Sequence, residues 1–339
     1  MAVSLFIMVN QTKISVITVA YNSAGEIEGF LDSYLANTPR NNWELIIVDN
    51  ASQDETADKI RKFLENLNED RRQQIKFIRS KRNLGYGGGN NLGVRHAKGE
   101  YLVFINPDTL LLPNWLEVLE KKQDADSKVG IVGPKILYGD RKTIQAAGGW
   151  VEEAGFAHHF GYGEKDEGQW NEEKEVDYVT GACLAIRKSI FEKCFGFDEN
   201  YFPGYYEETE LCWKAKRLGY KVIYLPDSSI IHLESQVTGL YSYNYYYWFH
   251  KHRWRFVLKN YPVSKILFSA IPFELRWLFN NILKKIKIFP SPKNNSGSKN
   301  QSGSSKNGNQ EGTALLKAYF VTIINLPNIF YHRYFKYYA

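Results

Sequence analysis

Short apolar runs alternate with amphipathic stretches through the first 135 residues. Ile14-Ser-Val-Ile-Thr-Val-Ala20 is β-branched and free of charge, which predicts a strand buried on both faces. From about 26 to 36 the apolar residues take helical spacing, with Ile27, Phe30, Leu31, Tyr34 and Leu35 on one face and Pro39 ending the run. Residues 43–48 predict a second strand that closes on Asp49-Asn50-Ala51-Ser52. Ser52 or Asp54 is placed to cap a helix over about 55–67, with Ile60, Phe63, Leu64 and Leu67 inward. Residues 75–78, 101–105 and 129–134 predict three more strands, and a helix over about 114–122 follows the 101–105 strand. Between the third and fourth strands, Arg82-Asn-Leu-Gly-Tyr-Gly-Gly-Gly-Asn-Asn-Leu-Gly93 reads as a glycine-rich loop leading to a short helix that ends at Ala97. Such alternation with short connections predicts an α/β fold: a mixed, mainly parallel sheet with helices on both faces.

The pattern breaks down over 146–175, which is rich in glycine and mixed charge and carries adjacent His158 and His159. This stretch reads as a long, partly mobile loop over the site, where acceptor contacts are expected. Regular structure resumes over 176–187. A turn-rich passage, 196–204, precedes a helix over 207–218 that Gly219 ends, and strands follow at 221–225 and 230–232. After Pro262 the composition changes. Residues 263–289 are apolar with five basic residues against Glu274, 290–312 read as a Ser/Asn/Gly linker, and 313–339 are aromatic and aliphatic with Lys317, Arg333 and Lys336 and no acid. Residues 1–262 therefore read as one domain, followed by two basic amphipathic segments suited to lying on an anionic membrane surface.

Composition narrows the class. The formal charge of +6 is mild and forms no concentrated basic tract, and nucleic acid is not an expected partner. Cys183, Cys194 and Cys212 have neither CxxC nor Cys/His metal spacing, and their odd number points to a reducing cytosol. The apolar Met1–Val9 stretch lacks a basic start and a small-residue cleavage site, so no signal peptide is expected. No window reaches the length of a transmembrane helix free of charge or proline.

The candidate chemistry gathers at strand ends. The run 101–105 stops on Asn106-Pro107-Asp108. Pro107 cannot continue a ladder, so Asp108 falls just past the strand's carboxyl end, where open α/β sheets bind ligands. A carboxylate there suits a divalent cation with a phosphorylated ligand. Asp49 closes a second strand on the same rim. The stretch from Gly85 is not a dinucleotide fingerprint: GxGxxG would need glycine at position 90, which is Asn, and the stretch follows the third strand. Tyr205-Tyr-Glu-Glu-Thr-Glu210 puts three acids at the start of a helix. There they either stabilise the helix dipole or serve as a general base.

The order of these motifs resembles the family 2 inverting glycosyltransferases of GT-A fold, close to their rhamnosyltransferase-like branch. The motifs are Val19-Ala-Tyr-Asn-Ser23, Val48-Asp-Asn-Ala-Ser52, Asn83-Leu-Gly85 with Asn90-Asn-Leu-Gly93, Ile105-Asn-Pro-Asp-Thr109, Thr180-Gly-Ala182, Gly196-Phe-Asp-Glu199, Tyr206-Glu-Glu208 and Ile231-His232. The resemblance covers residues 14–261 and implies a nucleoside-diphosphate-sugar donor. Ala20, Tyr21, Asn22, Asp49, Asn83, Gly85, Asn90, Asn91, Asn106 and Pro107 would line the nucleotide-sugar site, with Asp49 on the base. Asp108 would hold Mg²⁺ or Mn²⁺ on the diphosphate, and His232 would be a further metal or diphosphate contact. The family's first metal-motif acid is Asn106 here, and its late Glu-Asp pair is Glu207-Glu208. By position Glu208 is the base, with Glu207 the alternative. The resemblance implies dTDP-rhamnose or a UDP-hexose as donor, a glycan or lipid-linked acceptor, a role in polysaccharide biosynthesis, and a cytoplasmic protein peripheral to the membrane. The alternative is a non-catalytic nucleotide-sugar binding protein.

Overall fold

The computed structural model describes residues 12–38, 42–234, 242–285 and 304–334, with backbone alone for 281–285 and 304–311. The Met1–Val9 stretch, Pro39 and linker residues 290–303 lie outside the described residues. The chain divides into two compact units, Met1–Trp150 with His159–Ser235, and Val151–His158 with Gln236–Ala339.

In the first unit the elements run β1 (Ile14–Ala20), α1 (Ile27–Asn37), β2 (Trp43–Asp49), α2 (Thr56–Glu65), α3 (Glu69–Gln73), β3 (Ile75–Arg79), α4 (Gly85–Val94), β4 (Tyr101–Ile105), β5 (Thr109–Leu111), α5 (Trp115–Ala125) and β6 (Val129–Tyr138). Then come β7 (Ile144–Ala146), β8 (Gly149–Val151) and β9 (Ala157–His159), the last two with residues divided between the units, and then β10 (Lys174–Glu175), β11 (Cys183–Arg187), α6 (Lys188–Lys193), α7 (Glu207–Arg217) and β12 (Lys221–His232) of the first unit. One sheet has the order β10-β12-β6-β11-β4-β1-β2-β3, with β5 on β12 and β7 on β6. Strands β1 to β4 are parallel among themselves, and β11 enters antiparallel between β4 and β6. Apolar side chains of β1, β2 and β4 pack into one core with Phe30 and Leu31 of α1 and Trp115, Leu116 and Leu119 of α5.

Three differences from the sequence reading have physical causes. The glycine-rich stretch is a helix, α4, not a loop. A Cβ at Gly89 would lie 2.6 Å from Val19 Cγ1, and one at Gly93 would lie 2.5 Å from Ile17 Cγ2, so the bare backbone lets the helix lie directly on β1. That packing outweighs glycine's poor helix propensity. Pro134 does not end β6, which runs on to Tyr138. The partner strand β12 shifts register between Leu225 and Ser229, opposite Pro134 and Lys135, and this irregularity accommodates the missing N–H. It also makes one strand of the two expected at 221–225 and 230–232. The 146–175 region contains β8, β9 and β10, and buried Lys135 reaches Asp166 Oδ2 at 2.9 Å and Asn171 Oδ1 at 2.5 Å.

The second unit is helical: α8 (Tyr243–Asn260), α9 (Val263–Lys265) with a π-turn at Ile266–Ala270, α10 (Ile271–Lys285), α11 (Ser304–Ile324) and α12 (Leu326–Tyr334). Helix α11 takes in 304–312, the last part of the expected linker. Arg253 of α8 is fully buried. It pairs with Glu274 of α10 at 2.7 Å and donates to Ala154 O at 2.9 Å, and Tyr319 of α11 donates to the same Glu274 carboxylate. Three helices and the Val151–His158 segment thus converge on one buried ion pair, which is why the unit boundary falls before α8 and not at Pro262.

Candidate active site

The parallel register brings the first cluster together. Ala20 is opposite Asp49, and Asn50 N–H donates to Ala20 O at 2.8 Å. Asp49 is fully buried; its Oδ1 accepts from Ser52 N–H at 3.0 Å and its Oδ2 lies 3.0 Å from Arg79 Nε. Asn22, at φ 50°, donates its N–H to Ser52 Oγ at 3.0 Å and accepts from Gln53 N–H at 2.9 Å. The turns after β1 and β2 are therefore tied into one rim, with Tyr21 half-buried between them.

Asn50 links this rim to Asn83–Gly85. Its Nδ2 donates to Asn83 Oδ1 at 3.0 Å and Gly85 O at 3.2 Å, and its Oδ1 accepts from Leu84 N–H at 2.9 Å. Gly85 sits at φ 71°, and a Cβ there would lie 2.9 Å from Pro203 O. Tyr86 N–H donates to that same carbonyl at 2.9 Å, which ties the start of α4 to the chain just before Glu207. Two expected ligand residues have internal partners. Asn91 exchanges hydrogen bonds with the backbone of Phe197 at 2.9 and 3.1 Å, and Asn90 Nδ2 donates to Tyr86 O at 3.0 Å. Their amides hold the 196–199 turn and the helix.

Asn106, Asp108 and His232 come together through non-local pairing. Thr109 of β5 is opposite His232 of β12, and Leu233 N–H donates to Asp108 O at 2.9 Å. His232 Nε2 lies 3.0 Å from Asp108 Oδ1 and 3.4 Å from Asn106 Nδ2. Behind the ring, Nδ1 meets Gln145 Oε1 on β7 at 2.7 Å. An amide oxygen only accepts, so Nδ1 carries the proton and Nε2 is turned toward Asp108. Pro107 is half-buried between them.

Glu207 and Glu208 open α7. The two residues before them, Tyr205 at φ 78° and Tyr206 at φ 75°, are left-handed, a conformation that costs non-glycine residues roughly 1–3 kcal/mol each. Glu207 is buried, and its Oε2 has no hydrogen-bond partner among the described residues. Burial, and then the neighbouring Glu208 carboxylate, holds its pKa well above the ordinary glutamate value. Glu208 is half-buried and also raised by burial. Its own N–H and the Thr209 N–H and hydroxyl counter that shift, the hydroxyl reaching Oε1 at 3.2 Å. Two buried phenols feel the Glu208 charge: Tyr86, which donates to Gly181 O at 2.9 Å, and Tyr178, 3.2 Å from His159 Nδ1.

Asn50, Gln145 and the two phenols were absent from the sequence-based site. Asn50 lay inside a quoted motif beside Asp49. Gln145 has no local signal, since only the β5-β12-β6-β7 pairing brings it to His232.

A parallel nucleotide-type half-sheet, an antiparallel inserted strand and an acid–histidine pair at the carboxyl rim define the GT-A class of sugar-nucleotide folds. The structure of GalNAc-T7 with UDP, GalNAc and Mn²⁺ superposes with a TM-score of 0.62, at 16% identity over 96% of this chain and 58% of that one. Residues 15–195 match the Glycosyl transferase family 2 domain, and the chain belongs to that family. It is 29% identical over 208 residues to the low-salt glycan biosynthesis hexosyltransferase Agl10 of Haloferax volcanii, covering 60% of this chain and 62% of Agl10. It is 24% identical over 246 residues to the N-acetylglucosaminyl-diphospho-decaprenol L-rhamnosyltransferase of Mycobacterium tuberculosis, covering 66% and 77%. Relatives in Sinorhizobium fredii and Myxococcus xanthus are longer, and the matched region spans 25% and 17% of them.

Proposed function

We propose that the protein is an inverting glycosyltransferase. It moves a sugar from a nucleoside diphosphate, dTDP-rhamnose or a UDP-hexose, to a hydroxyl of a glycan or lipid-linked acceptor in polysaccharide biosynthesis. The observation that carries this reading is the Asp108–His232 pair, held 3.0 Å apart on the carboxyl rim with Gln145 fixing the ring. The donor set fits a divalent cation. A carboxylate oxygen and an imidazole nitrogen are both donor types that Mg²⁺ or Mn²⁺ accepts. No group of three or more His, Cys, Asp or Glu that could hold a metal ion is present among the described residues, so Mg²⁺ or Mn²⁺ is proposed here on Asp108 and His232 alone. Asp108 Oδ1 and His232 Nε2 would hold it, and when bound it supplies charge neutralisation at the leaving diphosphate.

The chain's own residues do the rest. Asp49 and the Asn50-clamped Asn83–Gly85 turn shape the nucleoside end, with Ala20, Tyr21 and Asn22 beside them. Glu208 takes the proton of the acceptor hydroxyl. That oxygen attacks the anomeric carbon opposite the diphosphate, the glycosidic C–O bond to phosphate breaks, and configuration inverts. Burial that keeps Glu208 only partly hydrated makes it a stronger base than a surface carboxylate. Glu207, neutral beside it, avoids a second buried charge. The basic apolar helices after Pro262 support a position on the cytoplasmic face of a membrane, beside lipid-linked acceptors.

The test is Glu208→Gln against Glu207→Gln. Glu208→Gln should lower transfer by roughly 10²–10⁴-fold with nucleoside-diphosphate binding retained. Full transfer by that variant would end the base assignment, and loss in Glu207→Gln alone would move it. A thermal-shift screen of nucleotide sugars with Mn²⁺ identifies the donor.

A further inference from the structure

Helices α10 and α11 are apolar on two sides. Their inner sides pack: Ile266, Ala270 and Glu274 of the first segment and Ala314, Leu315, Ala318 and Thr322 of the second are buried. Their outer sides are also apolar. Leu267, Ile271, Leu275 and Phe279 recur every fourth residue with Phe268 beside them, and Leu316, Phe320, Ile323 and Ile324 form a second stripe. Most of these side chains are well exposed, Phe268 82%, Leu316 69%, Phe320 64% and Phe279 62%, while Ile271 is 37% exposed. In water, two such stripes on one unit would be an association hazard.

The charges around the stripes indicate what covers them. The one acid among the described side chains of 263–280 and 312–334 is Glu274, and it is buried against Arg253. Arg276 and Lys317 are exposed, and Lys265 and Arg333 are half-exposed. Within these segments every exposed charge is a cation, and the nearby acid Glu153, also exposed, accepts from Ser269 Oγ at 2.9 Å; apolar stripes with a mainly cationic border match the acyl-to-headgroup boundary of an anionic bilayer. The helix lengths limit how far the unit enters. No described helix is long and apolar enough to cross a membrane, and Gly312–Ile324 with Leu326–Tyr334 reaches that apolarity only as a pair bent by 58°. Pro327, with no N–H for the preceding turn, accounts for the break.

We infer that the second unit is a monotopic anchor whose α10 and α11 outer stripes are buried in the acyl layer of one leaflet, bound mainly by apolar insertion and only secondarily by charge. This rests on the membrane-surface reading above and sharpens it. A chain merely resting on anionic headgroups is released by salt, and an inserted one is not.

The experiment is vesicle flotation of the full-length protein, purified in detergent. Vesicles of phosphatidylcholine, and of phosphatidylcholine with phosphatidylglycerol, are compared at low salt and at about 1 M NaCl, where the screening length is about 3 Å. Binding to both kinds, retained in high salt, is expected. Leu275→Gln with Phe279→Gln, and Phe320→Gln with Ile323→Gln, should each weaken binding roughly tenfold or more per residue, since each removes a buried apolar side chain. Arg276→Gln with Lys317→Gln should weaken binding to the anionic vesicles alone. All six positions are exposed, and thermal unfolding of the variants should match the parent. Binding to anionic vesicles only, lost at high salt, overturns insertion and leaves the surface reading standing. No binding to either vesicle overturns both, and a stable dimer in detergent-free buffer with no lipid binding assigns the stripes to a second copy.

Discussion

Asn50 offers the sharpest test of how the donor rim is built. It is 2% exposed and holds three hydrogen bonds to the Asn83–Gly85 turn. At a net 0.5–1.5 kcal/mol each, Asn50→Ala should loosen that turn by about 2–4 kcal/mol. The Leu84 amide, which donates to Asn50, should then exchange with solvent roughly 30- to 700-fold faster, and the donor KM should rise. Asn50→Asp is the more informative change. It keeps the acceptor for Leu84 N–H but sets a carboxylate oxygen against Asn83 Oδ1 and Gly85 O, both acceptors, at 3.0 and 3.2 Å. Asn83 cannot turn its amide to help, because its Oδ1 already accepts from Gly85 N–H at 2.8 Å. A buried charge facing two acceptors costs more than the missing side chain, so at pH 8 the aspartate variant should exchange faster than the alanine one. The introduced carboxyl has its folded pKa raised above its unfolded value. The penalty is therefore present at high pH and fades as pH falls toward about 4, where a proton restores one donor. The assay is amide exchange at Leu84, Gly85 and Tyr86 at both pH values. An aspartate variant as protected as the parent at pH 8, or a gap between the two variants that does not change with pH, would refute the clamp.

Two further outcomes follow from the site. Glu207 is held neutral by burial and by Glu208, so the unfolded chain ionises first and stability falls as pH rises from the unfolded value toward the folded one; Glu207→Gln should raise the unfolding temperature at pH 8, with the gain vanishing near pH 4, and a gain of equal size at both would contradict the buried neutral acid. Gln145→Leu leaves His232 unoriented, and the Mn²⁺ concentration needed for half-maximal turnover should rise roughly 10- to 100-fold; an unchanged Mn²⁺ titration would remove Gln145 from the site.

How much of this was legible in the chain depended on how local each determinant is. Strands β1, β2 and β4 are mainly apolar, β-branched runs, ended by Tyr21-Asn22, Asp49 and Asn106-Pro107 in turn, and they fall within a residue of the expected ends. Helix α4 was read as a loop because its determinants are distant: five glycines lower helix propensity locally, while Ile17 and Val19, some seventy residues earlier, reward a helix without side chains. Strand β6 was cut short at Pro134 for a parallel reason, since the irregularity in β12 that accommodates the proline lies about ninety residues later.

The site divides the same way. Asp49, Asp108 and Glu208 each end a strand or begin a helix, positions where a carboxylate stands out in a one-dimensional reading. His232 gained meaning only through the resemblance, because its pairing with Thr109 spans more than a hundred residues. Gln145 had no signal at all. A lone glutamine on a three-residue strand is unremarkable until β7 is laid on β6 and β6 on β12. Asn90 and Asn91 stand in a motif of the family, and in the structure Asn91 also holds the Phe197 backbone while Asn90 Nδ2 donates to Tyr86 O of its own helix. A motif residue can serve a site by fixing the backbone that reaches it. The 196–199 turn that Asn91 secures leads through Pro203 directly into the strained Tyr205–Tyr206 pair, and that pair sets where Glu208 emerges.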